Sequence, residues 1–402
     1  MRRTRFLAGG LAAGGLLSLT GSPVRAAGQT ITLPFANGMR PIVAYPQKRP
    51  LILLTSRPPQ LETPLAVFDE GDAFTPNDAF FVRWHLAGIP TSIDGDAFRI
   101  NVHGAVEREL SLSLGDLRRD FEPVEIAAVC QCSGNSRGYF SPRVPGGQWS
   151  NGAMGNAQWR GVRLGDVLKR AGIKAGAVQV RFNGLETPTL STTPDFLKSL
   201  DVELAASPDV IVAYAMNGAD LPLLNGFPVR LIVPGYFATY WVKMLDDVEV
   251  LTEPDQNFWM KTAYRIPTAG NGCISPGEKT ETVPIGRMRV RSFITNLTDG
   301  QHVAAGSGQR LRGIAFDGGS GIERVDVSTD GGATWRAAKL NRDYGKYSFR
   351  RWETTFDAAA GQTYRLASRA TAGDGSVQTT AVCWNPSGYL RNAIELVTVS
   401  VS

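Results

Sequence analysis

The hydrophobic pattern of the chain changes character at Pro284-Ile285-Gly286, and that change limits what it can fold into. Before it, helical and extended signals alternate. Leu164 to Arg170 and Pro194 to Leu200 read as helices, while Val178 to Phe182, Val210 to Tyr214 and Val229 to Val233 read as short buried strands. After it come short strand-like runs divided by turn residues: Arg312 to Phe316, Val325 to Ser328, Tyr364 to Ser368 and Ala381 to Trp384, with Asp330-Gly331-Gly332 among the turns. In the last run Val397, Val399 and Val401 alternate with Thr398, Ser400 and Ser402, which puts the valines on one face of a strand. The expectation is an α+β chain, with a mixed α/β domain over residues 28–285 and a β-sandwich over 286–402. A length of 402 residues with 43% apolar composition is enough for two cores.

Residues 1–27 read as an export signal. Arg2, Arg3 and Arg5 form a basic head, Leu7 to Thr20 is apolar and rich in Gly and Ala, and Val24-Arg25-Ala26 fits a small-residue cleavage site. The apolar stretch is too short to span a bilayer comfortably, so no membrane span is expected after its removal. Arg2-Arg3-Thr4-Arg5-Phe6-Leu7 resembles a twin-arginine motif, which implies export of a folded, cofactor-loaded protein to the periplasm. Removal takes away four arginines and no acidic residue, leaving +1 of the original +5. The basic pI is therefore no footprint of nucleic-acid binding.

Four cysteines remain, Cys130, Cys132, Cys273 and Cys383, in a chain bound for an oxidising compartment. Cys273 and Cys383 could bridge the two domains or stay free, and the sequence leaves both open. Cys132 is followed by Ser133-Gly134-Asn135-Ser136-Arg137, where an Arg and turn amides would stabilise a thiolate. Such a cysteine can be a nucleophile, a disulfide half, a buried small hydrophobe or a ligand to a soft metal. Three histidines, with no His-x-x-x-His or Cys-x-x-Cys set, give ordinary zinc sites little to work with.

The run Cys132-Ser133-Gly134-Asn135-Ser136-Arg137, followed by the block from Trp149 to Leu168, resembles the core of the sulfite oxidase family. Phe80-Phe81-Val82-Arg83-Trp84-His85, then Ala213-Tyr214-Ala215-Met216-Asn217-Gly218, then Gly226-Phe227-Pro228-Val229-Arg230 leading to Trp241-Val242-Lys243 agree in order. Val325 to Trp335 and Cys383-Trp384-Asn385-Pro386 resemble that family's immunoglobulin-like dimerisation domain. The similarity covers essentially the whole mature chain.

The resemblance implies a molybdenum-molybdopterin cofactor, with Cys132 as the metal ligand, a role that suits a soft thiolate. Cys130, two residues away in an extended segment, would point to the opposite face. By the same resemblance Arg83, Arg137 and Arg391 hold an oxyanion substrate, Tyr214 is the active-site tyrosine and Trp149 lines the substrate pocket. Arg391 would reach the pocket only if the β domain packs beside it. Phe81, Val82, Arg83, Trp84, His85, Glu186, Asn225, Arg230, Trp241, Val242 and Lys243 are the implied cofactor contacts. Glu186 and Asn225 stand where animal members have Asp and His.

The implied reaction is oxidation of sulfite to sulfate, with electrons passed to a separate c-type cytochrome, because the chain carries no Cys-x-x-Cys-His haem motif. Bacterial sulfite dehydrogenases are the nearest members in kind. A homodimer is expected, and a heterodimer with a cytochrome subunit is the alternative. Two rival functions remain at this stage. One keeps the cofactor but acts on sulfane sulfur, a sulfoxide or nitrate. The other is a non-enzymatic secreted binding protein with Cys132 in a disulfide, which the strain of a Cys-x-Cys pair counts against.

Overall fold

The computed structural model describes residues 30–33, 38–43 and 45–402; the expected export signal lies outside them. Among the described residues no helix is long and apolar enough to cross a membrane.

The first part of the chain builds three sheets. In one, Pro123–Gln131 pairs with Met154–Arg163, which pairs with Ile211–Met216, itself flanked by Arg230–Ile232. A second has the order Lys198–Asp201, Gln179–Gly184, Leu245–Leu251, Ile100–Gly104, Leu110–Leu112, with a parallel pairing in its middle. The third is antiparallel and ends on Val82–Arg83. Helix Leu164–Ala171 forms where the sequence predicts one. Leu164, Val167, Leu168 and Ala171 share its buried stripe, Asp166 lies in its first turn and Lys169 and Arg170 in its last, and Gly172 ends it at φ +74°.

Two expected elements take other forms. Pro194 to Leu200 is not helical: Lys198–Asp201 is a strand on the edge of the second sheet, pairing Leu200 with Val180, and Phe196 is buried beneath His85. A short apolar run is ambiguous in period, and tertiary packing decided it. Ala381 to Trp384 is not a strand either. It is an irregular segment held by Ile274 N–H donating to the Trp384 carbonyl at 2.9 Å and by the Cys273–Cys383 disulfide.

The β domain is a sandwich. Arg291–Ile294, Gly306–Phe316, Arg350–Ala358 and Lys339–Leu340 form one sheet; Gln301–Val303, Leu396–Val401, Thr363–Ala372, Ile322–Ser328 and Arg336–Ala337 form the other. Val399 and Val401 are buried as the alternation requires. This domain is packed into the first rather than tethered to it. Phe293, Ile314, Phe316 and Phe349 join the core of the first domain. Val129 N–H donates to the Tyr347 carbonyl at 2.9 Å, and the buried Arg291 reaches Ser136 Oγ at 3.0 Å.

Candidate active site

Strand Pro123–Gln131 becomes fully buried toward its end and delivers Cys132 at the close of the ladder, where its N–H donates to the Ala153 carbonyl at 2.9 Å. The Gly134-Asn135 turn then reverses the chain, with Ser136 at φ +69°. Ser136 has the Gly-x-Ser-x-Gly spacing of a serine nucleophile. Its hydroxyl instead lies 2.5 Å from Asn151 Oδ1 and accepts from Arg291, which are structural contacts. Cys130 and Cys132 part company as expected. Cys130 is buried against the Arg230 guanidinium at 3.3 Å, which leaves Cys132 as the thiol lining the pocket among the described residues. Burial pushes the Cys130 thiol pKa up, which keeps it protonated.

The pocket gathers Phe81, Arg83 and His85 from the Val82–Arg83 strand region and Ser133 from the cysteine loop. It also takes Asn225 and Arg230 from either side of a tight turn, Thr239 and Lys243 from the segment beyond, and Tyr264. The other expected cofactor contacts support these from behind. Glu186 accepts from the N–H groups of His85 and Leu86 at 3.0 and 2.9 Å. The Trp241 carbonyl accepts from Arg230 Nε at 3.3 Å, and the Val242 carbonyl accepts from Leu231 N–H. Val82 and Trp84 fall into a separate apolar cluster with Leu51 and Leu61, and the Trp84 ring lies 4.3 Å from the Lys243 ammonium.

Tyr214 is not in the pocket. It sits at a bulge in strand Ile211–Met216, with the Arg118 guanidinium 5.2 Å from its ring centroid. The tyrosine that does line the pocket is Tyr264, whose hydroxyl lies 2.5 Å from His85 Nε2. Tyr264 adopts φ +56°, a left-handed conformation that a bulky residue keeps only when its surroundings fix it. No local pattern around Tyr264 marks it in the sequence.

The remaining expected residues divide. Arg391 is tied to Glu395 Oε1 at 2.5 Å and lies over the Tyr139 ring, and it does not line the pocket. The β domain packs close enough, but the fourth residue after Arg391 captures its charge. Trp149 is fully buried against Gly147 and also does not line the pocket. Arg137 stands just outside, donating through Nε to the Ser387 carbonyl at 3.0 Å and through Nη1 to the Gly147 carbonyl at 3.3 Å. With Arg83 it lies near enough to Tyr264 to oppose the rise that burial imposes on that phenol's pKa.

Burial lowers the pKa of His85 well below that of free imidazole, with the Arg83, Lys243 and Lys198 charges adding to the effect, so the ring is neutral. Glu186 Oε1 lies 3.7 Å from Nδ1. That is beyond hydrogen-bond range, so Nδ1 has no protein partner, and a ring proton on Nε2 is donated to the Tyr264 oxygen, leaving the phenol proton free. Phe196, stacked on the imidazole at 3.5 Å between centroids, fixes its plane.

The chemistry of the donor set fits an anionic heterocyclic cofactor. Arg83 Nη1, His85 Nδ1, Ser133 Oγ and Thr239 Oγ1 are buried without a protein hydrogen-bond partner, a concentration of unmet polar groups that native interiors avoid unless a ligand meets them. Arg230, Lys243 and Lys48 add buried cations. Lys48, which no local sequence pattern singles out, donates to the Phe80 carbonyl at 3.0 Å and to Asn225 Oδ1. Burial lowers Lys48 to about 7 and Lys243 to about 8.

The stability of the cofactor-free protein should depend on pH. A lysine whose folded pKa is depressed leaves the unfolded chain holding more protons between the folded value and about 10.4. Stability therefore rises with pH upward from about 7, by at most about 1.4 kcal/mol per pH unit for each such lysine. Lys48→Met should flatten the rise in unfolding free energy between pH 7 and 9; an unchanged slope would contradict the assignment.

Comparison with known proteins agrees with this reading of the pocket. A family model described as an oxidoreductase molybdopterin binding domain matches residues 86–259, and one described as a Mo-co oxidoreductase dimerisation domain matches residues 282–402. The human mitochondrial sulfite oxidase is 36% identical over 90% of this chain and 68% of its own length. The chain belongs to the sulfite oxidase family. The sulfite oxidase of Arabidopsis thaliana is 30% identical over 90% of this chain and 97% of its own length. The crystal structure of the sulfane dehydrogenase SoxCD from Paracoccus pantotrophus superposes with a TM-score of 0.73 over 98% of this chain and 93% of that one. At 23% identity that likeness speaks for the fold alone. As a member of this family the chain is a molybdenum oxidoreductase with a molybdopterin cofactor, and its dimerisation domain supports assembly into dimers.

Proposed function

We propose that the protein is a periplasmic sulfite dehydrogenase, in which Cys132 ligates molybdenum, Arg83 and Tyr264 receive the substrate, and Arg137 lends its charge from just outside the pocket. The observation that carries the reading is Arg83: a guanidinium lining the Cys132 pocket together with Tyr264, with one buried nitrogen unpaired. A small oxyanion supplies what that nitrogen lacks, because guanidinium offers paired donors to tetrahedral oxygens. Molybdenum bound at Cys132 supplies the two-electron oxidation, with oxygen drawn from water.

The residues of the chain do the rest. Arg230, Lys243 and Lys48 neutralise the anionic end of the cofactor, and Asn225 and Thr239 meet its polar edge. Arg83 and Arg137 offset the substrate charge in a site from which surrounding aromatic rings exclude water. His85, neutral and protonated on Nε2, donates to the Tyr264 oxygen and so orients the hydroxyl, which is placed to donate a hydrogen bond or pass a proton. Electrons leave singly to a separate c-type cytochrome. The working assembly is a homodimer, or a heterodimer with that cytochrome, exported by the twin-arginine route.

The test is steady-state reduction of cytochrome c by the purified protein with sulfite, thiosulfate or a persulfide as the electron donor. Turnover with sulfite, at a kcat/KM well above the others, supports the reading; turnover only with another compound keeps the cofactor and overturns the substrate. Arg83→Gln should raise KM for sulfite about 10- to 100-fold, the worth of one charge-assisted contact, with a smaller change in kcat. An unchanged KM would remove Arg83 from the substrate site.

A further inference from the structure

We propose that Tyr389, contributed by the β domain, is a positioning residue that holds Arg137 and Tyr264 in place, and that the Cys273–Cys383 disulfide fixes the segment carrying it. The proposal rests on the sulfite-oxidising reading and adds to it a residue from the other domain.

Tyr389 is 9% exposed and touches both residues named. Its ring lies parallel to that of Tyr264, with centroids 5.7 Å apart and planes 3° from coplanar. The Arg137 guanidinium carbon is 5.2 Å from its ring centroid, within cation–π range. Both partners need such support. Tyr264 is held at φ +56°, which a tyrosine does not adopt unaided. Arg137 runs through a sleeve of glycines from three segments: a Cβ at Gly134, Gly146 or Gly388 would come within 2.6, 2.8 and 2.8 Å of its side chain. One of these glycines, Gly388, immediately precedes Tyr389, and Ser387 supplies the carbonyl that Arg137 Nε binds at 3.0 Å. The segment therefore grips Arg137 by backbone, by close approach and by ring.

That segment has no strand ladder to define it. Its shape comes from Asn385, whose side chain donates to the Tyr389 carbonyl at 2.8 Å and accepts from the Tyr389 N–H at 3.1 Å. Its place comes from three ties to the catalytic domain: the disulfide, the Ile274 to Trp384 backbone bond, and the Trp384 indole donating to the Pro142 carbonyl at 2.8 Å. The disulfide links residues 110 positions apart. Cys273 follows Tyr264, and Cys383 precedes Tyr389, so the cross-link joins the two chain segments whose tyrosines stack. The arginine expected from this segment is engaged by Glu395, and the side chain that reaches the substrate-binding residues is the tyrosine.

The experiment compares wild type, Tyr389→Phe, Tyr389→Ala, Cys383→Ser and the double variant Tyr389→Ala with Cys383→Ser as loaded enzymes. Sulfite kinetics are read alongside calorimetric binding of sulfate and molybdenum content. Tyr389→Ala should raise KM for sulfite and Kd for sulfate by about tenfold, with molybdenum retained and kcat less affected. Tyr389→Phe, which keeps the ring, should stay within about threefold of wild type. Cys383→Ser should move KM in the same direction, and its effect should be smaller when Tyr389 is already Ala. Unchanged KM and Kd in Tyr389→Ala, or effects that simply add, would overturn the proposal. Should Tyr389→Ala lose its metal, Tyr389→Leu keeps the bulk without the ring and must then show the rise in sulfate Kd. The binding measurement separates the two levels of inference. Wild type that binds sulfate but does not oxidise sulfite sinks the substrate reading while the variants still decide Tyr389; wild type that binds no sulfate contradicts both.

Discussion

Replacing Cys132 with Ser is expected to remove molybdenum and turnover together. The pocket offers the metal one sulfur donor among the described residues, and a serine hydroxyl is a harder and far less acidic ligand than a thiolate. Losing an outer-shell partner of a metal site typically costs about 10- to 100-fold in affinity or activity, so loss of the ligand itself should exceed about 100-fold. Cys130→Ser is the matched control. Cys130 lies two residues away and is more deeply buried, but its sulfur faces Arg230, and a serine there can still accept from that guanidinium. Molybdenum content should stay near wild type in Cys130→Ser and fall in Cys132→Ser. The reverse pattern would mean that the wrong cysteine faces the metal.

The second large effect separates two tyrosines. Tyr264→Phe removes the hydroxyl that meets His85 in the pocket and should lower kcat by about 100-fold or more, the usual worth of a positioned proton donor. Tyr214→Phe should leave kcat within about twofold, because Tyr214 lies beneath Arg118, outside the pocket lining. Steady-state kinetics with molybdenum analysis of both variants checks this. A large loss in Tyr214→Phe, with Tyr264→Phe near normal, would restore the reading that the sequence suggests.

The contrast between those tyrosines marks where the sequence stops being legible. Cys132 could be read because the strand before it and the Gly134-Asn135 turn after it are local signals. The division of roles between Cys130 and Cys132 followed from the alternation of an extended segment. Arg83, His85, Arg230 and Lys243 lie in runs that resemble the family, and the structure brings them to one pocket. Tyr214 lies in such a run too, yet a bulge and the Arg118 contact turn it elsewhere. Tyr264 and Thr239 reach the pocket, and Lys48 backs its wall behind Asn225, from segments with no distinctive local pattern. Arg391 failed for a different reason: Glu395 competes for its charge at a distance that only packing reveals. The helix expected over Pro194 to Leu200 gave way to an edge strand because sheet pairing and the burial of Phe196 under His85 outweighed a weak local preference.

The most direct test of the account is X-ray absorption at the molybdenum edge of the purified protein, before and after anaerobic addition of sulfite. The expected result is a metal with sulfur in its coordination shell, an edge that moves to lower energy on sulfite addition, and no molybdenum edge in Cys132→Ser, which should not hold the metal. A molybdenum edge unmoved by sulfite would contradict it.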